Sequence, residues 1–199
     1  GDNTFDNFGI TVSGAGDVNG DSYDDLIVGA PGDDNNNTGS GSARVFSGFN
    51  GTVLYTVFGD GGNQLGTSVS GAGDINNDGY DDIVVGALRG SNNFVTASSV
   101  RVISGVNGST FYRFNCDNFN ASGISVSGAG DVNNDGFADL VFGAPVVDLP
   151  NSTPGQAYLI FSTPITDSLP PCPADANTDG FIDVDDLNIV LANWGNICN

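Results

Sequence analysis

The chain has 199 residues, of which 39% are hydrophobic, and its formal net charge at pH 7 is −20. All 24 acidic residues are Asp, and all four basic residues are Arg. This charge argues against nucleic acid as a partner, because its recognition requires clustered Lys and Arg opposite phosphate. The hydrophobic content suffices for a folded core, and cations are the natural counterpart of so many carboxylates.

The beginning of the chain predicts a processed product. It starts at Gly1 without Met or a signal sequence, as is expected of a mature chain. No apolar run reaches the length of about 18 residues that a membrane-spanning helix requires. We therefore expect a processed protein that is not inserted in a membrane.

The most regular feature is an acidic motif, Asp-x-Asn-x-Asp-x-x-x-Asp, which begins at residues 17, 74 and 131. The interval is therefore 57 residues in both cases, and the flanking residues keep the same register. A fixed period of this length indicates an array of similar structural units. Equivalent glycines lie at Gly9, Gly66 and Gly123, and equivalent Gly-Ala pairs begin at Gly29, Gly86 and Gly143.

Each unit is predicted to consist of short β-strands. An alternating stretch such as 10–13 precedes each acidic loop, and a short apolar run follows it, which predicts a strand on both sides of the loop. The dipeptides Asn50-Gly51 and Asn107-Gly108 favour hairpin turns between later strands. Strands after the loops are predicted at 26–28, 83–85 and 140–142, and later strands at 43–46, 53–57, 100–103, 110–114 and 157–161.

Four strands in each 57-residue unit are typical of a propeller blade, and the third unit ends after its third predicted strand. The predicted fold class is therefore all-β, with three propeller-type blades in an incomplete or open propeller, followed by a small C-terminal loop-helix segment. The blades are expected at about 8–64, 65–121 and 122–161 within a domain at 1–161, the Pro/Ser/Thr linker at 162–173, and the C-terminal segment at 174–199.

The three acidic loops have the ligand pattern of a calcium site. Positions 1, 3, 5 and 9 carry oxygen side chains, and the backbone carbonyl at position 7 supplies a further oxygen. Ca²⁺ takes about six to eight oxygen ligands at about 2.3–2.6 Å, whereas Mg²⁺ requires a tighter octahedron. The alternative is that Asp, Asn and Gly merely form turns, but three loops in register favour metal sites. The predicted ligands are Asp17, Asn19, Asp21, Tyr23 and Asp25; Asp74, Asn76, Asp78, Tyr80 and Asp82; and Asp131, Asn133, Asp135, Phe137 and Asp139.

The sixth loop position differs between the repeats. Gly79 and Gly136 permit the positive φ of a sharp turn, whereas the first loop has Ser22 there. We therefore expect the first site to be strained or weaker than the other two.

These units resemble FG-GAP repeats of the kind found in integrin α-subunit propellers. Phe8-Gly9 and Gly29-Ala30-Pro31 are the two name-giving pairs in the first unit, and the resemblance covers residues 8–162. The second and third units depart from the pattern, with Leu65-Gly66 and Ser122-Gly123 in place of the first pair. The resemblance implies calcium-stabilised blades in an extracellular or cell-surface protein that binds or assembles.

The C-terminal segment contains a fourth candidate calcium loop, at 175–186, with Gly180 at position 6 and a predicted helix after it. This pattern is EF-hand-like, and Asp186 at position 12 resembles the dockerin type I repeat. Dockerins carry two such repeats and this chain has one. Cys172 and Cys198 bracket the segment, which predicts a disulfide, while Cys116 stands apart. The candidate ligands are Asp175, Asn177, Asp179, Phe181, Asp183 and Asp186.

Catalysis finds little support, because the chain contains no His, Glu or Lys to act as a general acid or base. A catalytic Asp pair is conceivable, but most of the Asp residues are better explained as metal ligands. We expect a non-enzyme with up to four calcium sites. The main hypothesis is an extracellular structural protein that self-assembles into a surface polymer or filament through open blade edges and the C-terminal module. The alternative is an adhesion or ligand-binding module of a larger cell-surface or dockerin-bearing protein, with surface proteins or glycans as partners.

Several further residues carry weaker signals. Arg44 and Arg101 are equivalent strand residues and are expected to form ion pairs between blades. Asp33 lies in a polar loop outside the motif, so its replacement should cost less than that of Asp78. Five Asn-x-Ser/Thr sequons are candidate N-glycosylation sites, although Asn also suits turns. They are Asn36, Asn50, Asn107, Asn120 and Asn151.

Overall fold

The computed structural model describes residues 3–88, 98–116, 125–145 and 156–162. These residues form eleven β-strands joined by turns and loops, and no helix lies among them. The strands are β1 (Thr11–Gly16), β2 (Asp25–Ala30), β3 (Ser42–Phe46), β4 (Val53–Phe58), β5 (Leu65–Gly73), β6 (Asp82–Ala87), β7 (Ser98–Ile103), β8 (Thr110–Cys116), β9 (Ser125–Gly130), β10 (Asp139–Ala144) and β11 (Gln156–Ile160).

The strands form three antiparallel sheets in which each strand pairs with the next one along the chain. Blade 1 contains β1 to β4, blade 2 contains β5 to β8, and blade 3 contains β9 to β11. The first strands lie side by side, with β5 between β1 and β9. The predicted all-β class is therefore confirmed, and the three antiparallel sheets are consistent with propeller-like blades.

The Asn-Gly hairpins form as the sequence predicts. Gly51 and Gly108 have φ values of 73° and 71°, which glycine adopts without a steric penalty. In the first hairpin the side-chain oxygen of Asn50 accepts the N–H of Thr52, at 2.9 Å, and Asn107 accepts the N–H of Ser109 in the same way. The turn chemistry thus fixes the register of the third and fourth strands.

Each blade has two apolar faces, because side chains alternate along its strands. We call the face toward the preceding blade the first face, and the face toward the following blade the second face. The second face of blade 1 and the first face of blade 2 form one buried cluster, around Ile27, Val45, Leu65 and Ile83. Blades 2 and 3 form an equivalent cluster around Val84, Val102, Leu140 and Phe142.

Glycines let the first strands approach closely at both joints. A Cβ added at Gly71 would lie 2.9 Å from the carbonyl oxygen of Gly14, and one added at Gly128 would lie 2.7 Å from that of Gly71. These contacts are shorter than a side chain tolerates against backbone. The first glycine of the Ser-Gly-Ala-Gly sequence is therefore required by blade packing in the second and third units.

Arg101 connects blades 1 and 2. Its guanidinium is buried and lies 2.7 Å from the carboxylate of Asp60, which follows β4, and it also donates to the carbonyl of Phe58. Burial lowers the pKa of Arg101, while Asp60 raises it. The predicted interblade ion pair is thus confirmed at Arg101. Arg44 lies over the ring of Phe8, 5.6 Å from its centroid.

Replacing Asp60 by Ala should lower the free energy of unfolding by about 2–3 kcal/mol, because it leaves the buried Arg101 without its carboxylate. Arg113 pairs with the same Asp60 oxygen, at 2.7 Å, but is 40% exposed. Arg113→Ala should therefore cost at most about 1 kcal/mol, since exposed ion pairs contribute little. Urea denaturation of the two variants measures the difference, and equal costs would contradict the proposed role of burial.

Several sequence-based predictions lie outside the described residues and stay predictions. They concern the linker, the fourth calcium loop with its helix, the disulfide and two sequons. Among the residues that the structure describes, no helix is long and apolar enough to cross a membrane. The residues concerned are Asp175, Asn177, Asp179, Phe181, Asp183, Asp186, Cys172, Cys198, Asn120 and Asn151.

Candidate metal centres in the repeat loops

The three acidic loops occupy equivalent places in the fold. Each loop connects the first strand of a blade to the second, running from the end of β1, β5 or β9 to the start of β2, β6 or β10. The first two loops adjoin, because Asp81 N–H donates to the carbonyl of Asp17 and Asp17 N–H donates to the carboxylate of Asp81, at 3.1 and 2.9 Å. The predicted ligand residues of each loop thus lie at one end of their blade.

The carboxylate at position 1 organises each loop. In the second loop its two oxygens accept the N–H groups of positions 5 and 6, from Asp78 at 3.0 Å and Gly79 at 2.9 Å. The third loop repeats the pattern around Asp131, and in the first loop Asp17 accepts from Asp21 and Ser22. The chain therefore wraps around this carboxylate in all three repeats.

Positions 3 and 5 continue the pattern with short-range contacts. The amide oxygen of Asn76 accepts the N–H of Asp78 at 3.0 Å, and the carboxylate of Asp78 accepts the N–H of Tyr80 at 3.0 Å. Such Asx contacts hold each side chain over its own loop. The equivalent contacts join Asn19, Asp21 and Tyr23 in the first loop and Asn133, Asp135 and Phe137 in the third.

Position 9 is fully buried and ties the loop to the rest of its blade. One oxygen of Asp82 accepts the N–H of Ile75, at 3.1 Å, and the other accepts the N–H of Gly105, after the third strand, at 3.0 Å. The sequence predicted only a ligand role for this residue. Its position at the start of a strand was the feature that could have indicated its burial. Asp25 makes the same contacts to Val18 and Gly48, and Asp139 to Val132 and Ser162.

The carboxylates of one loop act on each other electrostatically. The pKa of Asp82 is raised to about 6, first by burial and to a smaller extent by the negative charges of Asp78 and Asp74, against the opposing effect of its two backbone hydrogen bonds. The pKa of Asp25 is raised for the same reasons, with burial first and with Asp21 and Asp17 contributing. A cation among these groups would remove the repulsion.

The donor set of each loop fits a hard cation. It offers carboxylate oxygens at positions 1, 5 and 9, an amide oxygen at position 3 and a carbonyl at position 7, and it contains no nitrogen or sulfur ligand. In the part of the chain that the structure describes, no three His, Cys, Asp or Glu residues are gathered closely enough to hold a metal ion by themselves. The loops therefore offer the oxygen chemistry of a calcium site, and the assignment of a metal to them stays a prediction.

Loop 1 adopts the same backbone as loops 2 and 3 despite its different residue at position 6. Ser22 has a φ of 69°, while Gly79 and Gly136 have φ values of 89° and 94°. A left-handed backbone costs a non-glycine residue roughly 1–2 kcal/mol. The expected strain in the first loop is thus present at Ser22.

Ser22→Gly should raise the free energy of unfolding by about 1 kcal/mol, because glycine adopts this backbone without steric cost. The reverse change in the second loop, Gly79→Ser, is the matched control and should lower it by a similar amount. Urea denaturation in the presence of a chelator measures both effects without a contribution from metal. Destabilisation by Ser22→Gly would contradict the assignment of strain.

Asp33 differs from Asp78 in its environment, although both lie in polar loops. It is fully buried, accepts the N–H of Asn35 at 2.8 Å, and accepts the hydroxyl of Ser42 in β3 at 2.6 Å. Burial with two hydrogen bonds makes the loss of Asp33 costly, which argues against the expectation that its replacement costs less than that of Asp78. Among the sequons, Asn36 is exposed but donates its side-chain N–H to the carbonyl of Gly59.

Comparison with known proteins identifies the repeats. The FG-GAP repeat model matches residues 8–46, 65–103 and 122–160, which correspond to the first three strands of each blade. Human integrin alpha-11 is 38% identical over 89 residues, mouse integrin alpha-2 is 32% identical over 91, and chicken integrin alpha-6 is 36% identical over 90.

These alignments are partial on both sides. They include 41–42% of this chain but only 7–8% of each integrin chain. The likeness therefore concerns the repeats and not the whole of any relative.

Proposed function

Since the chain belongs to the FG-GAP repeat family, we propose that it is a calcium-stabilised adhesion or ligand-binding module of an extracellular or cell-surface protein. The observation that carries this proposal is the hydrogen-bond pattern of the acidic loops, which is the same in three repeats. Partial similarity to integrin alpha chains supports adhesion. This similarity favours an adhesion or ligand-binding module over a structural protein whose main role is self-assembly.

In the proposed sites, Asp74, Asn76, Asp78 and Asp82 would hold the ion of the second loop, together with the carbonyl of Tyr80. Bound Ca²⁺ supplies positive charge that offsets the repulsion within the loop. The residues at the same positions would serve in the first and third loops, and the C-terminal loop would provide a fourth site. No catalytic role is proposed for any of these residues, and extracellular placement is consistent with stabilisation by Ca²⁺.

A surface coated with the full chain should retain suspended cells in calcium buffer and release them when EDTA is added. The matched control is a surface coated with Asp78→Asn protein, which we expect to lose part of the calcium-dependent retention because one of its loops lacks a carboxylate ligand. If the coated surface retained no more cells than an albumin-coated one, the adhesion proposal would be wrong.

A further inference from the structure

The two joints between blades are built from equivalent residues. At each joint the second face of one blade packs on the first face of the next, and positions 57 residues apart play the same part. Within the described residues, three blades form two such joints and leave two outer faces uncovered. The first face of blade 1 and the second face of blade 3 are therefore the two unmatched halves of a third joint.

The first face of blade 1 is apolar and exposed. Val12 is 68% exposed, although its equivalent in blade 2, Val69, is 8% exposed. Leu26 is 53% exposed, whereas its equivalent Ile83 is completely buried. Phe8, another residue of this face, is also exposed. The exposed side chains of this face are apolar, like those buried at the internal joints, and no described residue covers them.

The second face of blade 3 is exposed in the same way. Val132 is 50% exposed, although its equivalent in blade 2, Ile75, is 3% exposed. Leu159 is 40% exposed, whereas its equivalent Val102 is completely buried. This face therefore presents the apolar residues that would complete a joint with a first face.

The backbone at the two outer faces also has room for another blade. A Cβ added at Gly14 would meet no atom within 4 Å, although the equivalent atom at Gly71 would collide with blade 1. At the other end, a Cβ added at Gly130 would meet nothing, while the equivalent atom at Gly73 would lie 2.8 Å from Ala138 of blade 3. Gly14 thus keeps the glycine that close approach requires at the equivalent position in blade 2, whereas the φ of 69° at Gly130 by itself favours glycine.

We propose that the occupant of the first face of blade 1 is a second copy of this chain, which binds through the second face of its blade 3. The contact is heterologous, because the two faces differ, and each copy keeps one face available for a further copy. Repetition produces rings or filaments of blades in the order 1, 2, 3, 1, 2, 3. The arrangement extends the joints already formed within the chain.

A polar contact specifies the alignment of this joint. At the first internal joint the carboxylate of Asp81 accepts the N–H of Asp17, at 2.9 Å. The residue of blade 1 equivalent to Asp81 is the exposed Asp24, and the residue of blade 3 equivalent to Asp17 is the exposed Asp131. Asp24 of one copy should therefore accept the backbone N–H of Asp131 in the next.

Charge opposes this association. Each chain carries a formal charge of −20, so that copies repel one another at low ionic strength. Salt screens the repulsion, and Ca²⁺ bound in the loops reduces it. Association should therefore strengthen as salt or calcium is raised, as expected of an apolar joint between acidic chains.

Sedimentation velocity of the full chain, over a series of concentrations in calcium and moderately high salt, tests the proposal. The wild-type protein should form species larger than dimers. Leu26→Asp disables the first face and Leu159→Asp disables the second, so each variant alone should be monomeric, with association weakened at least about a hundredfold. Val106→Asp, at an exposed hairpin residue away from both faces, should assemble like the wild type.

A mixture of the two face variants gives the decisive result. Each retains one intact face, so an equimolar mixture should form a dimer that cannot grow, whereas neither variant dimerises alone. Asp24→Ala should weaken assembly by about tenfold, the effect of one hydrogen bond to a charged group. A monomeric wild type at all concentrations, a mixture that stays monomeric, or either face variant dimerising alone would overturn the proposal. Circular dichroism establishes that each variant is folded.

Discussion

Removal of calcium by a chelator is expected to lower the midpoint of thermal unfolding by roughly 15–30 °C. At a hundredfold excess of calcium over Kd, each site contributes about 2.7 kcal/mol, so that three sites contribute about 8 kcal/mol. A change of 1 kcal/mol shifts the midpoint by about 2–4 °C in a chain of this size. Differential scanning calorimetry with and without EDTA measures the shift.

The stoichiometry and the choice of metal make the calcium result specific. Titration calorimetry should give three ions for the repeat loops and a fourth if the C-terminal loop also binds. Mg²⁺ should produce a smaller shift, because its tight octahedron suits this set of ligands less well. Asp78→Asn should remove about a third of the shift that the three repeat loops produce. If no stoichiometric binding were found and EDTA left the midpoint unchanged, the calcium proposal would be wrong.

Asp82→Asn is expected to lower the free energy of unfolding by about 2 kcal/mol even when calcium is absent. Both Asp82 oxygens accept backbone N–H groups, from Ile75 and Gly105, in a fully buried place. An amide can present only one oxygen, so its nitrogen would face one of these donors without forming a hydrogen bond. The neutral amide relieves the burial of charge, which offsets part of this cost.

The matched control for this change is Asp78→Asn in the same loop. Asp78 is exposed, and the oxygen that accepts the N–H of Tyr80 is retained in Asn. This change should therefore cost less than about 0.5 kcal/mol in EDTA, yet both variants should lose the calcium-dependent increment of loop 2. Urea denaturation in EDTA and in calcium separates the two roles of position 9. Equal costs for the two variants in EDTA would contradict the structural role of Asp82.

The strands and the loop contacts could be predicted because they depend on residues close in sequence. An Asn-Gly turn requires only the φ values of two adjacent residues, and Asp74 reaches the N–H groups of Asp78 and Gly79 within its own loop. The spacing of apolar residues likewise predicts the three units, because each unit repeats the same alternation. Even the strain at Ser22 followed from its alignment with two glycines.

The burial of particular residues could not be predicted in this way. Asp33 and Asp78 both lie in polar, Asp-rich segments, but β3 covers Asp33 through Ser42 while Asp78 stays exposed. The second role of Asp82 was hidden for the same reason, since its partner Gly105 lies 23 residues further along the chain. The local sequence does not indicate which distant backbone group will contact a given side chain in the folded chain.

The sequence by itself determined the number of repeats, the order of their strands and the oxygen atoms that each loop offers, because turn geometry and side-chain alternation act over a few residues. Only the tertiary structure decided which of these equivalent residues are covered. Val12 and Val69 occupy the same position in their repeats, yet one is exposed and the other is buried. The physical reason is that burial depends on a neighbouring blade, and within the described residues the first blade has a neighbour on one face only.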